Sequence, residues 1–172
     1  MQMTDSEPST AEPASPGDDP PPRNATLDLV DPSGLLTAAE HEWLCANAAA
    51  ALDQLDKSGE ARVRVVTDTE MDDAHRRYAG VPGTTDVLTF DLAQGDELDV
   101  DLLVCAEVAG RQASERGHDR AKELLLYVVH GLLHCVGYDD HDPDDSARMH
   151  QREDEILTAI GVGPVYGPEA GP

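Results

Sequence analysis

The longest apolar stretch of the chain, Leu124 to Val136, is interrupted by His130, Gly131 and His134. It is too short to span a bilayer, which takes about 20 residues, and reads as a helix buried in a protein core. Two histidines at i and i+4 share one face of such a helix, where both imidazoles reach one ion. Buried without partners among Leu124, Leu125, Leu126, Val128, Val129, Leu132 and Leu133, they would be costly; a metal satisfies both. Gly137 ends the helix and turns the chain back, so that Asp140 or His141 becomes the third ligand. Imidazoles with one further ligand suit a single zinc ion, and an open fourth position would make the site catalytic. In HExxH peptidases the residue after the first histidine is the glutamate that serves as general base. Here that residue is Gly131, which points to a metal-activated nucleophile acting on something other than a peptide bond.

The rest of the 172 residues is organised around this segment. Residues 1–25 hold six of the twelve prolines, interleaved with Ser, Thr and acids, and read as a disordered acidic leader. Residues 163–172 are rich in Gly and Pro and read as a flexible tail. Between them, 26–162, lies a single domain of alternating strands and helices. Strands are expected at Ala25–Val30, Val63–Thr67, Thr85–Leu92 and Leu98–Cys105. Helices are expected from the capping box Thr37-Ala-Ala-Glu40 to about Leu55, over Thr69–Tyr78 and over Ala106–Arg116. Two more run from Asp119 to Gly137 and from Asp142-Pro143 to about Ile160. The fold class is therefore α/β or α+β, with a small mixed sheet of about four strands packed with about five helices.

The charge bounds the partners. The net charge of −23 excludes a uniformly basic nucleic-acid coat. The leader carries few of these charges, so the acidity belongs to the body. No basic, apolar signal segment opens the sequence, and Cys45, Cys105 and Cys135 are far apart with no CxxC. These features predict a cytoplasmic protein with reduced thiols, without membrane association or a small-molecule cofactor. The acid run from Asp139 to Asp145 fails the calcium-loop pattern, since Asp145 and Gln151 stand where glycine and glutamate are required.

His130-Gly-Leu-Leu-His134 with Gly137-Tyr-Asp139 resembles the HGxLHxxGYDH motif of the YbeY rRNA-maturation endoribonucleases. Thr85-Asp-Val-Leu-Thr-Phe90 resembles that family's T(N/D)VLSF strand, and Asp101 to Ala109 resembles its GDIxIxxExA segment. The helix with Met149, Glu153, Glu155 and Ile156-Leu157 follows its acidic tail helix. The resemblance implies a zincin-like domain and a zinc-dependent, single-strand-specific endoribonuclease of 16S rRNA 3′-end maturation and ribosome quality control. Its implied partners are ribosomal RNA and small-subunit proteins. In the family's register the third metal ligand falls ten residues after His130, on Asp140, and Met149 then keeps the family's spacing; ligand softness favours His141. Ala79 stands where the family has an arginine, and Arg76 and Arg77 are the nearby candidates for RNA binding. An acidic protein that binds RNA must gather its bases in one place, with Arg62, Arg64, Arg76, Arg77, Arg111, Arg116, Arg120 and Lys122 available. Two other readings remain: a metallopeptidase if a remote glutamate such as Glu107 reaches the ion, and a non-catalytic ribosome-assembly factor with a structural metal.

Overall fold

The computed structural model describes residues 24–166. The leader before Asn24 and the last six residues of the tail lie outside this range. The element order is β1 (Ala25–Val30), α1 (Ala38–Asp53), β2 (Gly59–Val66), α2 (Asp68–Ala79), β3 (Val87–Asp91), β4 (Leu98–Cys105), α3 (Ala106–Arg116), α4 (Arg120–Cys135) and α5 (Pro143–Ala159). Four strands form one sheet in the order β1-β2-β4-β3. β1, β2 and β4 run parallel, and β3 is an antiparallel edge. This is a single small α/β domain with a mixed open sheet, as the alternation of patterns predicted. Among the described residues no helix is long and apolar enough to cross a membrane.

Local chemistry accounts for most element ends. Thr37 and Thr67 each form a capping box, with Glu40 and Glu70 respectively. Asp142 accepts hydrogen bonds from the backbone N–H groups of Asp144 and Asp145, with Pro143 in the first turn of α5. Asp119 occupies the cap position of α4 without a side-chain cap bond. β2 begins four residues before the Val63 start expected from its β-branched run. Its first half pairs with both β1 and β4, and a ladder on two sides overrides the weak local propensity of Gly59-Glu-Ala-Arg62. β3 is shorter than Thr85–Leu92, because the Asp86 carboxylate turns back to accept from the Thr85 hydroxyl and the Val87 N–H.

α1 and α4 cover one face of the sheet, where Ala61, Val63, Val65, Val100, Leu102 and Val104 are sealed from solvent. On the other face α2 contributes Met71 to a smaller cluster with Val66 and Cys105. α4 is the most enclosed helix: eleven of its sixteen residues are buried. Burying a Leu or Val side chain contributes roughly 1.5–3 kcal/mol, so this helix dominates the core. Its closest approach to the sheet is at Gly131. A Cβ placed there would lie 2.6 Å from Leu102 Cδ2 and 2.9 Å from Thr89 Oγ1, across the paired strands β3 and β4.

Gly131→Ala therefore loses stability although alanine is the better helix former. Overpacking costs about 1–3 kcal/mol against about 1 kcal/mol of helix propensity, so thermal denaturation should show a Tm lower by a few degrees. Leu132→Ala should cost about 2–5 kcal/mol. A higher Tm for Gly131→Ala would show that the sheet yields.

Candidate metal centre

The turn after α4 builds the site. Gly137, at φ +96°, closes the helix in the left-handed conformation. The N–H of Gly137 donates to the His134 carbonyl at 3.2 Å, and that of Tyr138 donates to the Leu133 carbonyl at 3.0 Å. This pair of bonds is a Schellman motif. It carries the Tyr138 carbonyl back to His134, whose Nδ1 lies 3.1 Å from it. A carbonyl only accepts, so His134 Nδ1 holds the proton and Nε2 presents a lone pair. The Tyr138 side chain packs against the core, and its backbone oxygen, invisible to a side-chain reading, orients a histidine.

His130 is oriented from another element. Its Nδ1 lies 2.7 Å from Glu153 Oε1 on α5, and Glu153 is fully buried. Glu153 sits on the apolar stripe of α5 with Met149, Ile156 and Leu157. An acid on a helix's buried stripe is the sequence signal that could have singled it out. Its other oxygen is buried with no partner at hydrogen-bond geometry. Burial opposes a charged imidazole, yet the Glu153 hydrogen bond and the charges of Glu153, Asp86 and Asp140 hold His130 above its ordinary pKa. The surroundings favour positive charge at this point.

The two Nε2 atoms thus face each other at 3.1 Å, and Asp140 places Oδ2 at 3.7 Å from His130 Nε2 and Oδ1 at 3.8 Å from His134 Nε2. Two lone pairs in contact repel unless a cation lies between or beside them. Tetrahedral zinc with ligands at ~2.0–2.1 Å separates its donor atoms by roughly 3.3 Å. The three observed separations bracket that value, so the donor set fits one such ion.

The structure brings Asp140 to the histidine pair and leaves His141 outside. The His141 side chain is 85 % exposed and turned to the Asp139 carboxylate. Glu107 is also elsewhere: it accepts the N–H of Asp68 at 3.1 Å, in a cluster with Asp68 and Cys105.

His130 and Asp140 line an open cleft of about 500 Å³, whose walls include Thr85, Asp86, Arg116, Glu123, Tyr127, His150 and Tyr166. The bases expected to gather here are dispersed. Arg62 pairs with Glu60, Asp99 and Asp101 on the face of the sheet away from α4. Arg64 lines a second groove on that face. Arg76 pairs with Asp72, and Arg77 lies over the Tyr78 ring. Arg111 pairs with Asp68, Arg120 with Glu40, and Lys122 donates to the Pro164 carbonyl. Local acids claim these cations because acids outnumber bases along the chain. Arg76 and Arg77 do not line the cleft.

A small α/β domain that sets two oriented histidines beside a carboxylate, with His130 and Asp140 lining an open cleft, carries a donor set that could hold one metal ion. Residues 37–161 match the family model described as Endoribonuclease YbeY. Proteins named Endoribonuclease YbeY are similar over most of the chain. That of Macrococcus caseolyticus is 34 % identical over 149 residues, covering 80 % of this chain and 96 % of the relative. That of Cutibacterium acnes is 34 % identical over 145 residues, covering 77 % and 92 %. The solution structure of TM1509 from Thermotoga maritima shares the fold, with a TM-score of 0.55 and 23 % identity, over 86 % of this chain and 99 % of that one. The chain belongs to the YbeY family.

Gly137→Ala tests the turn. A Cβ at positive φ costs about 1–2 kcal/mol, so the variant should melt a few degrees lower. A perturbed His134 ring signal by NMR should accompany the lower Tm, because the Tyr138 carbonyl is displaced.

Proposed function

We propose that the protein is a zinc-dependent endoribonuclease that cuts single-stranded RNA in 16S rRNA 3′-end maturation and ribosome quality control, with ribosomal RNA and small-subunit proteins as its cytoplasmic partners. The observation that carries this reading is the pair of Nε2 lone pairs held 3.1 Å apart with Asp140 beside them in an open cleft. Membership of a family named for endoribonuclease activity supports the choice of RNA.

His130, His134 and Asp140 would hold one zinc ion. Such an ion supplies a water of lowered pKa and a Lewis acid for a phosphodiester oxygen. Glu153 fixes the tautomer and angle of His130 and makes it a stronger donor; the Tyr138 carbonyl does the same for His134. Asp140 is 39 % exposed, so the side of the site away from the helix stays open to substrate. Gly131 supplies no glutamate base of the peptidase kind, and any side chain there would have to displace the Leu102 and Thr89 side chains. That glycine disfavours peptide hydrolysis. Three protein donors rather than four disfavour a purely structural ion.

Zinc-loaded protein should cleave single-stranded RNA and leave casein intact, and His130→Ala should abolish cleavage. Asp140→Ala should lose bound zinc on dialysis, whereas His141→Ala should keep it. The reverse pattern would assign the third ligand to His141. Glu153→Gln should weaken zinc binding about 10–100-fold in competition with a chelating dye. A folded, zinc-replete protein that cuts no RNA would leave the assembly-factor reading.

A further inference from the structure

The cleft holds a second charged device apart from the histidine pair. Glu123, on the first turn of α4, is fully buried. One of its oxygens accepts from Arg116 Nη1 at 2.8 Å, and the other lies 2.5 Å from His118 Nε2. Arg116 is the last residue of α3, and Gly117 stops the helix there. Its guanidinium lies over the Tyr166 ring, 5.5 Å from the centroid, and the other partner of that ring is His150, stacked at 3.9 Å. The arginine is therefore fixed on two sides, by a buried carboxylate and an aromatic ring. It is nevertheless 36 % exposed.

Full enclosure of the arginine would add its desolvation cost, and its head is left partly exposed. Arg116 reaches into the cleft that contains His130 and Asp140. Among the described residues lining that cleft it is the one arginine or lysine, against Asp86, Glu123 and Asp140. Tyr127 lines the same cleft, with its hydroxyl buried beside Glu123.

We propose that Arg116, braced by Glu123 and Tyr166, is a phosphate-binding residue that holds a non-reacting phosphodiester of an RNA strand in the cleft. The inference rests on the ribonuclease reading and names how that site holds its substrate. The chemistry follows from the guanidinium. It has five N–H donors in a planar fork; one is committed to Glu123, and a phosphate oxygen accepts charge-assisted bonds from the edge turned to the cleft. Glu123 does not cancel this role, because a buried anion fixes the position of the cation and spares the strand the cost of ordering a free arginine. In a protein of net charge −23 the subsite is what admits a polyanion beside Asp86 and Asp140.

The test uses a fluorescein-labelled oligouridylate and full-length zinc-loaded protein carrying Tyr127, His130 and all metal donors intact, with binding read by anisotropy across a salt series. Phosphorothioate linkages slow cleavage, so that binding is measured by itself. Arg116→Gln should weaken binding about tenfold and reduce the slope of log K against log salt by about 0.7, the value for one phosphate contact on a single strand. Arg116→Lys should keep most of the slope. Because Arg116→Gln strands a buried carboxylate, the double variant Arg116→Gln/Glu123→Gln, which removes both charges, is measured beside it and should show the same loss. Zinc content should be unchanged in all of them. If the variants bind with wild-type affinity and slope, Arg116 is a structural counter-ion and the proposal is wrong. If the wild-type protein binds no single-stranded RNA, the ribonuclease reading itself falls, and the subsite with it.

Discussion

α4 is enclosed on nearly every side, and a helix so enclosed has to satisfy inside the protein every polar group it carries. Three of these groups are met by different elements. Glu123 is met by Arg116 and His118 from the end of α3 and the turn after it. His130 is met by Glu153 from α5. His134 is met by the Tyr138 carbonyl, delivered by the helix's own terminal turn. These partners lock the position of α3, α5 and the Gly137 turn relative to α4. They also aim the two Nε2 atoms at each other beside Asp140. The set of donors that could hold a metal ion is thus a consequence of how the core is closed, rather than an addition to it.

The same enclosure explains Gly131. α4 lies so close to Thr89 and Leu102 that a Cβ at this position would displace their side chains. The close approach seals the sheet and sets the height of the histidines above β3. It also removes the position from which a peptidase draws its base.

Charge is distributed by a similar economy. Acids outnumber bases by nearly three to one, with 35 against 12. Arg62, Arg76, Arg111 and Arg120 are each held by a carboxylate within reach. Exposed pairs of this kind contribute little to stability, typically 0–1 kcal/mol. Their effect is to quench isolated positive charge over much of the surface. Arg116 differs because its carboxylate partner is buried while its own head is not.

The linear sequence by itself determined the strand and helix order, the capping boxes at Thr37 and Thr67, the helix stop at Gly137 and the placement of His130 and His134 on one face. All of these depend on interactions within a few residues, which spacing and residue type report directly. For the residue beside the histidine pair the family's register pointed to Asp140 and ligand softness to His141, and the fold brings Asp140 there. The tertiary structure decided what joins distant segments: Glu153 against His130, 23 residues apart; Arg116 rather than Arg76 or Arg77 in the cleft; and the dispersal of the other cations. Local pattern carries no information on which of several acids an arginine will meet. That choice is made by how helices cross the sheet, and the crossing is set by the contact at Gly131, where the sequence shows a glycine but not the leucine and threonine it touches.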